Sequence, residues 1–223
     1  MTRTLSHRPP ASAGLAGLLT GPLGQAGGAC VVDGLPDAAT VHALLREAHH
    51  AYPAASRQVL MSGDRATGRG GTPERALRTA GGGSVQDALY AAPGLHASLS
   101  DLCGATVGPS GGRGSYSYYV EAGDFLGLHL DVETCDVTLI TVLSDDTDPC
   151  GPGGGLAIYP HRFGAALDPI RRRPEDGVQL LRARPGQSVV LLGGLVPHCV
   201  APLPDTGQRI ISALCFTAAQ PPM

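Results

Sequence analysis

His129-Leu130-Asp131 sets an imidazole and a carboxylate two residues apart. In an extended chain, residues i and i+2 lie on one face. One strand then offers a nitrogen and an oxygen ligand side by side, with Leu126, Leu128 and Leu130 on the other face as an apolar backing. The third ligand lies far downstream. His198 follows the apolar run Val189-Val190-Leu191-Leu192, a Gly193-Gly194 turn and Pro197. Two imidazoles and one carboxylate on one face of an ion suit Fe(II) and leave the opposite positions open. No fourth protein ligand stands at an obvious spacing, which argues against a closed structural zinc site.

Arg209 comes eleven residues after His198 and opens the apolar stretch Ile210 to Phe216. A guanidinium heading an apolar strand is expensive unless it meets an anion. Arg209, Ile211, Ala213 and Cys215 share one face of such a strand. Small neighbours leave room beside the guanidinium, whose fork suits a carboxylate.

Elements must bring these distant residues together. The chain has 223 residues, of which 43% are hydrophobic, with 32 glycines and 19 prolines. That balance favours short strands and turns over long helices. Short strands are expected at 115–121, 125–131, 136–143, 156–160, 178–183, 187–192 and 209–217. Helices are expected ahead of them: one capped by Asp37 and running to about His50, one from Ser84, and one from Pro93 to Gly104. Helices first and strands after imply one β-rich domain, a jelly-roll or double-stranded β-helix with N-terminal helices packed on one sheet. The jelly-roll core spans about 113–217 within a domain of 29–220, and residues 1–28 form an arm or short helix. Residues 56–83 are rich in glycine and carry Arg57, Arg65, Arg69, Arg75 and Arg78. They read either as disorder or as a lid whose arginines meet an anionic substrate group.

A net charge of −3 gives no electrostatic case for nucleic acid. Glycines and Pro22 interrupt the mildly apolar Ala11–Leu23, and no apolar run reaches the roughly 18 residues of a membrane span. The six cysteines form no CxxC pair. They read as reduced, structural thiols of a cytoplasmic protein.

Taken together, the motifs resemble the Fe(II)/2-oxoglutarate-dependent dioxygenases of the prolyl 4-hydroxylase-like group. The similarity runs over about residues 110–217. It rests on Tyr119-Val120-Glu121-Ala122-Gly123-Asp124-Phe125 leading into His129-Leu130-Asp131, then on Val137 to Ser144, Gly154-Gly155-Leu156 and Gly186 to Leu191. His198 and Gly207-Gln208-Arg209-Ile210-Ile211-Ser212 complete it. The resemblance implies that His129, Asp131 and His198 bind iron and that Arg209 holds the distal carboxylate of 2-oxoglutarate. Dioxygen is then consumed, succinate and carbon dioxide are released, and a C–H bond of the substrate is oxidised. Tyr119 matches an active-site tyrosine of the group, with Tyr116 and Tyr118 as alternatives of opposite strand phase. Thr141 or Thr138 is the candidate to assist at the cosubstrate.

Ser212 stands three residues after Arg209, where many relatives have Arg-x-Ser, so it is not assigned to the cosubstrate. Thr141-Val142 replaces a Tyr-Tyr pair of some prolyl hydroxylases, which points away from a protein-prolyl substrate. Asp131 itself favours hydroxylation or a related oxidation over halogenation, which needs a small residue there. A small molecule, such as an amino acid or a natural-product intermediate, is the expected substrate. The alternatives are a peptidyl-prolyl hydroxylase, or a cupin-like metal enzyme or binding module that uses no keto acid. The residues do not speak to the oligomeric state.

Overall fold

The computed structural model describes residues 13–61, 68–148, 150–151 and 153–219. Two short helices, α1 (Ala13–Thr20) and α2 (Pro22–Gln25), lead into β1 (Ala29–Val32) and the long helix α3 (Ala38–Ala51). A hairpin of β2 (Ser56–Leu60) and β3 (Arg75–Gly81) follows, then α4 (Ser84–Tyr90), α5 (Pro93–Cys103) and β4 (Thr106–Pro109). The barrel strands are β5 (Ser115–Tyr119), β6 (Phe125–His129), β7 (Val137–Asp145) and β8 (Leu156–Ile158). After α6 (Leu167–Arg172) come β9 (Gln179–Leu181), β10 (Ser188–Leu191), β11 (His198–Val200) and β12 (Arg209–Ala219).

All strands join one antiparallel sheet in the order β1-β10-β7-β12-β5-β3-β6-β11-β8-β9, with β2 added on β3 and β4 on β12. This nearly closed sheet, with helices against one side, is the expected double-stranded β-helix. β7 lies between β10 and β12 and is buried on both faces from Val137 to Leu143, so its apolar residues do not alternate and only Thr138 and Thr141 interrupt them. Leu143 packs outward with Val41, Leu44 and Ala48 of α3. Thr138 points the other way, inside the barrel, where its hydroxyl meets Asp131.

The helices form where the sequence signals them. Asp37 caps α3 by accepting a hydrogen bond from Thr40 N at 2.7 Å. Gly104 ends α5 in the left-handed region, at φ 66°. Residues 13–28 are helical and docked, with Leu18 and Leu23 buried in the core, so this stretch is not a loose arm. The segment read as disorder or lid is instead the β2–β3 hairpin, with residues 62–67, including Arg65, outside the described residues. Three of its arginines bind the chain's own acids. Arg57 meets Asp124 at 2.6 Å and Glu121 at 3.3 Å, Arg78 meets Glu121 at 3.4 Å, and Arg69 meets Asp136 at 2.7 Å.

One contact between α3 and α4 has no sequence signature. Gly83, at the start of α4, supplies no capping side chain. Glu47 of α3 does so across space, accepting from the backbone of Gly83, Val85 and Gln86 and from the Tyr116 hydroxyl. Burial pushes its carboxyl up, but these donors outweigh that and hold it below the usual value. Glu47→Ala leaves four donors short of an acceptor. It should lower the unfolding free energy by about 2–4 kcal/mol in denaturant titrations.

Candidate metal centre

His129 ends β6, and His198 begins β11 directly opposite it in the register. Their rings lie 4.2 Å apart between centroids. Asp131 follows two residues after His129. Its Oδ1 is 3.4 Å from His129 Nε2 and 3.7 Å from His198 Nε2. One ligand atom from each residue thus falls within 4.8 Å of the other two.

The two imidazoles are oriented alike. His129 Nδ1 lies 2.8 Å from Gly127 O, and His198 Nδ1 lies 2.9 Å from Val196 O. A carbonyl oxygen only accepts, so each Nδ1 carries the proton. Each Nε2 therefore presents a lone pair toward the gap, as a metal ligand requires. Burial, with His129 beside it, outweighs Asp131 and lowers His198 from 6.5 to about 4. The ring is therefore neutral at pH 7.

Asp131 divides its work between two oxygens. Burial pushes its carboxyl up. His198, His129 and the Thr138 hydroxyl outweigh that and hold it well below the usual carboxylate range. Thr138 Oγ1 donates to Oδ2 at 2.5 Å, which leaves Oδ1 facing both Nε2 atoms. Gly193 makes this possible. Its carbonyl accepts from Asp131 N at 2.9 Å, and a Cβ there would overlap both Asp131 Oδ2 and Thr138 Oγ1.

The expectation of six reduced thiols fails here. Cys135 and Cys215 form a disulfide 80 residues apart in sequence. Cys215 faces Thr138 across β12 and β7, and Cys135 Sγ lies 3.3 Å from Thr138 Oγ1 and 3.7 Å from Asp131 Oδ2. The bridge backs the carboxylate ligand. Spacing gave no hint of it, because β12 returns next to the 132–136 turn only in the folded sheet. The other four cysteines are unpaired.

The apolar backing is also only partly as expected. Leu128 and Leu130 cluster with Leu167 of α6, but Leu126 packs on the main core. A register shift between β6 and β11 breaks the alternation, pairing Leu126 with Val200 and His129 with His198.

Arg209 opens β12 opposite both Tyr119 of β5 and Asp145 of β7. It is 3% exposed. Nη1 meets Asp145 Oδ2 at 3.3 Å and donates to Gly154 O. Burial lowers its affinity for the proton, against the pull of Asp145 and Tyr119. The Tyr119 hydroxyl is buried and has no hydrogen-bond partner. Burial pushes that phenol up, so it stays protonated and able to donate. An unmet buried hydroxyl beside a buried guanidinium can accommodate a carboxylate. Of the three tyrosines, only Tyr119 shares this face. Tyr116 and Tyr118 turn outward to α3, bonding Glu47 and Ala48 O.

Thr141 does not reach the site. Its Oγ1 lies 2.8 Å from Ser188 Oγ, in strand phase with Leu143 and facing the helices. Thr138, three residues earlier, is the threonine on the metal side. Sequence reading missed Asp145, Gly154 and Gly193 as working parts. The Gly193-Gly194 pair read only as a turn, and Gly154 only as part of the Gly154-Gly155-Leu156 motif.

Neither protein-family models nor curated protein sequences give a match to this chain. Solved structures do. The chain superposes on a prolyl-4-hydroxylase from Pseudomonas putida with a TM-score of 0.54 and 18% identity, covering 94% of this chain and 98% of that one. It superposes on the epimerase SnoN, solved with Fe3+, alpha ketoglutarate and nogalamycin RO, with a TM-score of 0.60, 17% identity, and coverage of 95% and 88%. EctD from S. alaskensis gives a TM-score of 0.60, 17% identity, and coverage of 96% and 80%. The fold is that of the 2-oxoglutarate/Fe(II) oxygenases.

Two outcomes test this geometry. Gly193→Ala should push Asp131 off its position and weaken Mn(II) binding by about 10–100-fold in calorimetry, the range found when groups supporting a ligand are changed. In the metal-free protein, the unfolded chain protonates His198 below pH 6.5, while the folded chain resists until about pH 4. Stability should therefore fall as pH drops through that window. His198→Asn should flatten this part of the profile in thermal melts.

Proposed function

We propose that this chain is an Fe(II)- and 2-oxoglutarate-dependent oxygenase that oxidises a C–H bond of a small molecule, releasing succinate and carbon dioxide. One observation carries the reading. A His129/Asp131/His198 cluster with both Nε2 lone pairs free shares the barrel interior with a buried arginine and an unpartnered buried tyrosine hydroxyl. A metal without a keto acid explains the first half of that set and not the second. The structural neighbours bound to iron and alpha ketoglutarate support the same pairing.

His129 Nε2, His198 Nε2 and Asp131 Oδ1 would hold Fe(II). Thr138 holds the second oxygen of Asp131, so this carboxylate would offer a bound ion only Oδ1. Arg209 keeps Nη1 on Asp145 and Gly154 and offers its remaining N–H groups, with the Tyr119 hydroxyl, to the distal carboxylate of 2-oxoglutarate. Bound iron and keto acid supply the oxidising chemistry, with dioxygen as the oxidant. The chain's part is to seat both, to position the substrate, and to exclude water with the buried aliphatic walls of β7, β10 and β12.

Anaerobic addition of Fe(II) and 2-oxoglutarate should produce a weak visible charge-transfer band. Asp131→Ala should abolish it through loss of a ligand. Arg209→Ala should abolish it at cosubstrate levels that saturate the wild type. A substrate screen that follows succinate release then identifies the substrate. A folded, iron-loaded wild type with no band would count against the assignment.

A further inference from the structure

We propose that Arg182 is a positioning residue for the cosubstrate carboxylate, acting through the loop that holds Arg209. The proposal rests on the reading of Arg209 given above. Arg182 follows β9 directly and touches neither Arg209 nor the metal ligands by any hydrogen bond. Its Nη1 donates to Thr147 Oγ1 at 2.9 Å, and its Nη2 donates to both Gly151 O and Gly153 O. Thr147 in turn donates to Asp145 Oδ1, from Oγ1 at 2.6 Å and from its backbone N at 3.1 Å. Asp145 Oδ2 and Gly154 O are the two acceptors that hold Arg209 Nη1.

One guanidinium thus ties both anchors of another. On one side it steadies Asp145 through Thr147. On the other it clamps the carbonyls just before Gly154. Arg209 sits where the register between β12 and β7 shifts, between Ile210 and Ile211. Its backbone is paired with Tyr119 on one side and Asp145 on the other, so what these two acceptors set is the direction of the side chain beyond the strand. The 146–155 connection is rich in glycine and proline and has no strand or helix of its own among the described residues. Without Arg182, three oxygen acceptors lose their donor, and this loop is free to shift the Arg209 fork out of line with Tyr119. Arg182 Nε is itself buried without a partner, so the side chain is seated for its Nη contacts at the expense of that N–H.

The role predicts a selective defect, which a general loosening of the barrel does not. Two keto acids separate the ends of the cosubstrate: 2-oxoglutarate, and 2-oxopentanoate, which has the same metal-binding end and no distal carboxylate. Binding of each to the Mn(II)-loaded full chain is measured by calorimetry for the wild type, Arg182→Gln and Arg182→Lys. We expect both variants to weaken 2-oxoglutarate about tenfold, the size of one misaligned charge-assisted contact, with less than about a twofold change for 2-oxopentanoate. Lysine keeps the charge, but its single nitrogen cannot stand in for both Nη1 on Thr147 and Nη2 on Gly151 and Gly153, so it should not rescue. Unchanged binding of 2-oxoglutarate, equal weakening of both acids, or full rescue by lysine overturns the proposal. If the Arg182 variants do not fold, Thr147→Val removes the hydroxyl that joins Arg182 to Asp145, leaves the clamp on Gly151 and Gly153, and should weaken 2-oxoglutarate selectively. Equal effects on both acids there also overturn it. A wild type that does not prefer 2-oxoglutarate over 2-oxopentanoate would remove the Arg209 reading itself.

Discussion

The Asp131 carboxylate is the point on which the centre turns. Left to itself, a carboxylate between two imidazoles would use both oxygens, and either could face the ion. The Thr138 hydroxyl takes one of them. That single bond makes the other oxygen the shared neighbour of both Nε2 atoms. It works only because residue 193 has no side chain and because the Cys135–Cys215 bridge fills the space behind. Four strands and one disulfide thus meet to orient one acid.

The second constraint is a buried positive charge. Arg209 lies in an otherwise apolar wall, where an unpaired guanidinium is costly. Asp145 offsets much of that cost but occupies only one edge of the fork. The free edge and the unpartnered Tyr119 hydroxyl then form a polar pair with unmet capacity inside the barrel. Native interiors rarely leave a buried hydroxyl such as that of Tyr119 unsatisfied, and with the guanidinium beside it the pair can hold an anion. The metal cluster and the arginine are joined by the inner face of β12, which runs from Arg209 past Ile211 and Ala213 to Cys215 beside Thr138.

The scaffold serves these two points. β7 is buried on both faces and carries Thr138 on the inside and Leu143 on the outside. Helix α3 presses on the outer face of the sheet and also caps α4 through Glu47. The β2–β3 hairpin is fastened by its own arginines to Glu121, Asp124 and Asp136. Arginines that could have read as substrate contacts are therefore mostly structural.

Much was legible in the residues themselves. Period-2 and continuous apolar runs marked the barrel strands, since a pleated chain buries alternate or all side chains in a predictable way. The His-x-Asp spacing placed two ligands on one edge, and the cost of an arginine in an apolar strand singled out Arg209. Partnerships between segments distant in sequence were not legible. Nothing local says that Cys135 meets Cys215, that Thr138 rather than Thr141 faces the acid, or that Gly193 must lack a Cβ. Strand phase and register decide these, and a one-residue shift such as those in β6 between Leu126 and His129 and in β7 between Val142 and Ser144 reverses which side chains look inward. Composition and spacing thus determined which groups were available. Only the closed sheet decided which of them face one another, because contact across strands depends on pairing that no stretch of chain encodes alone.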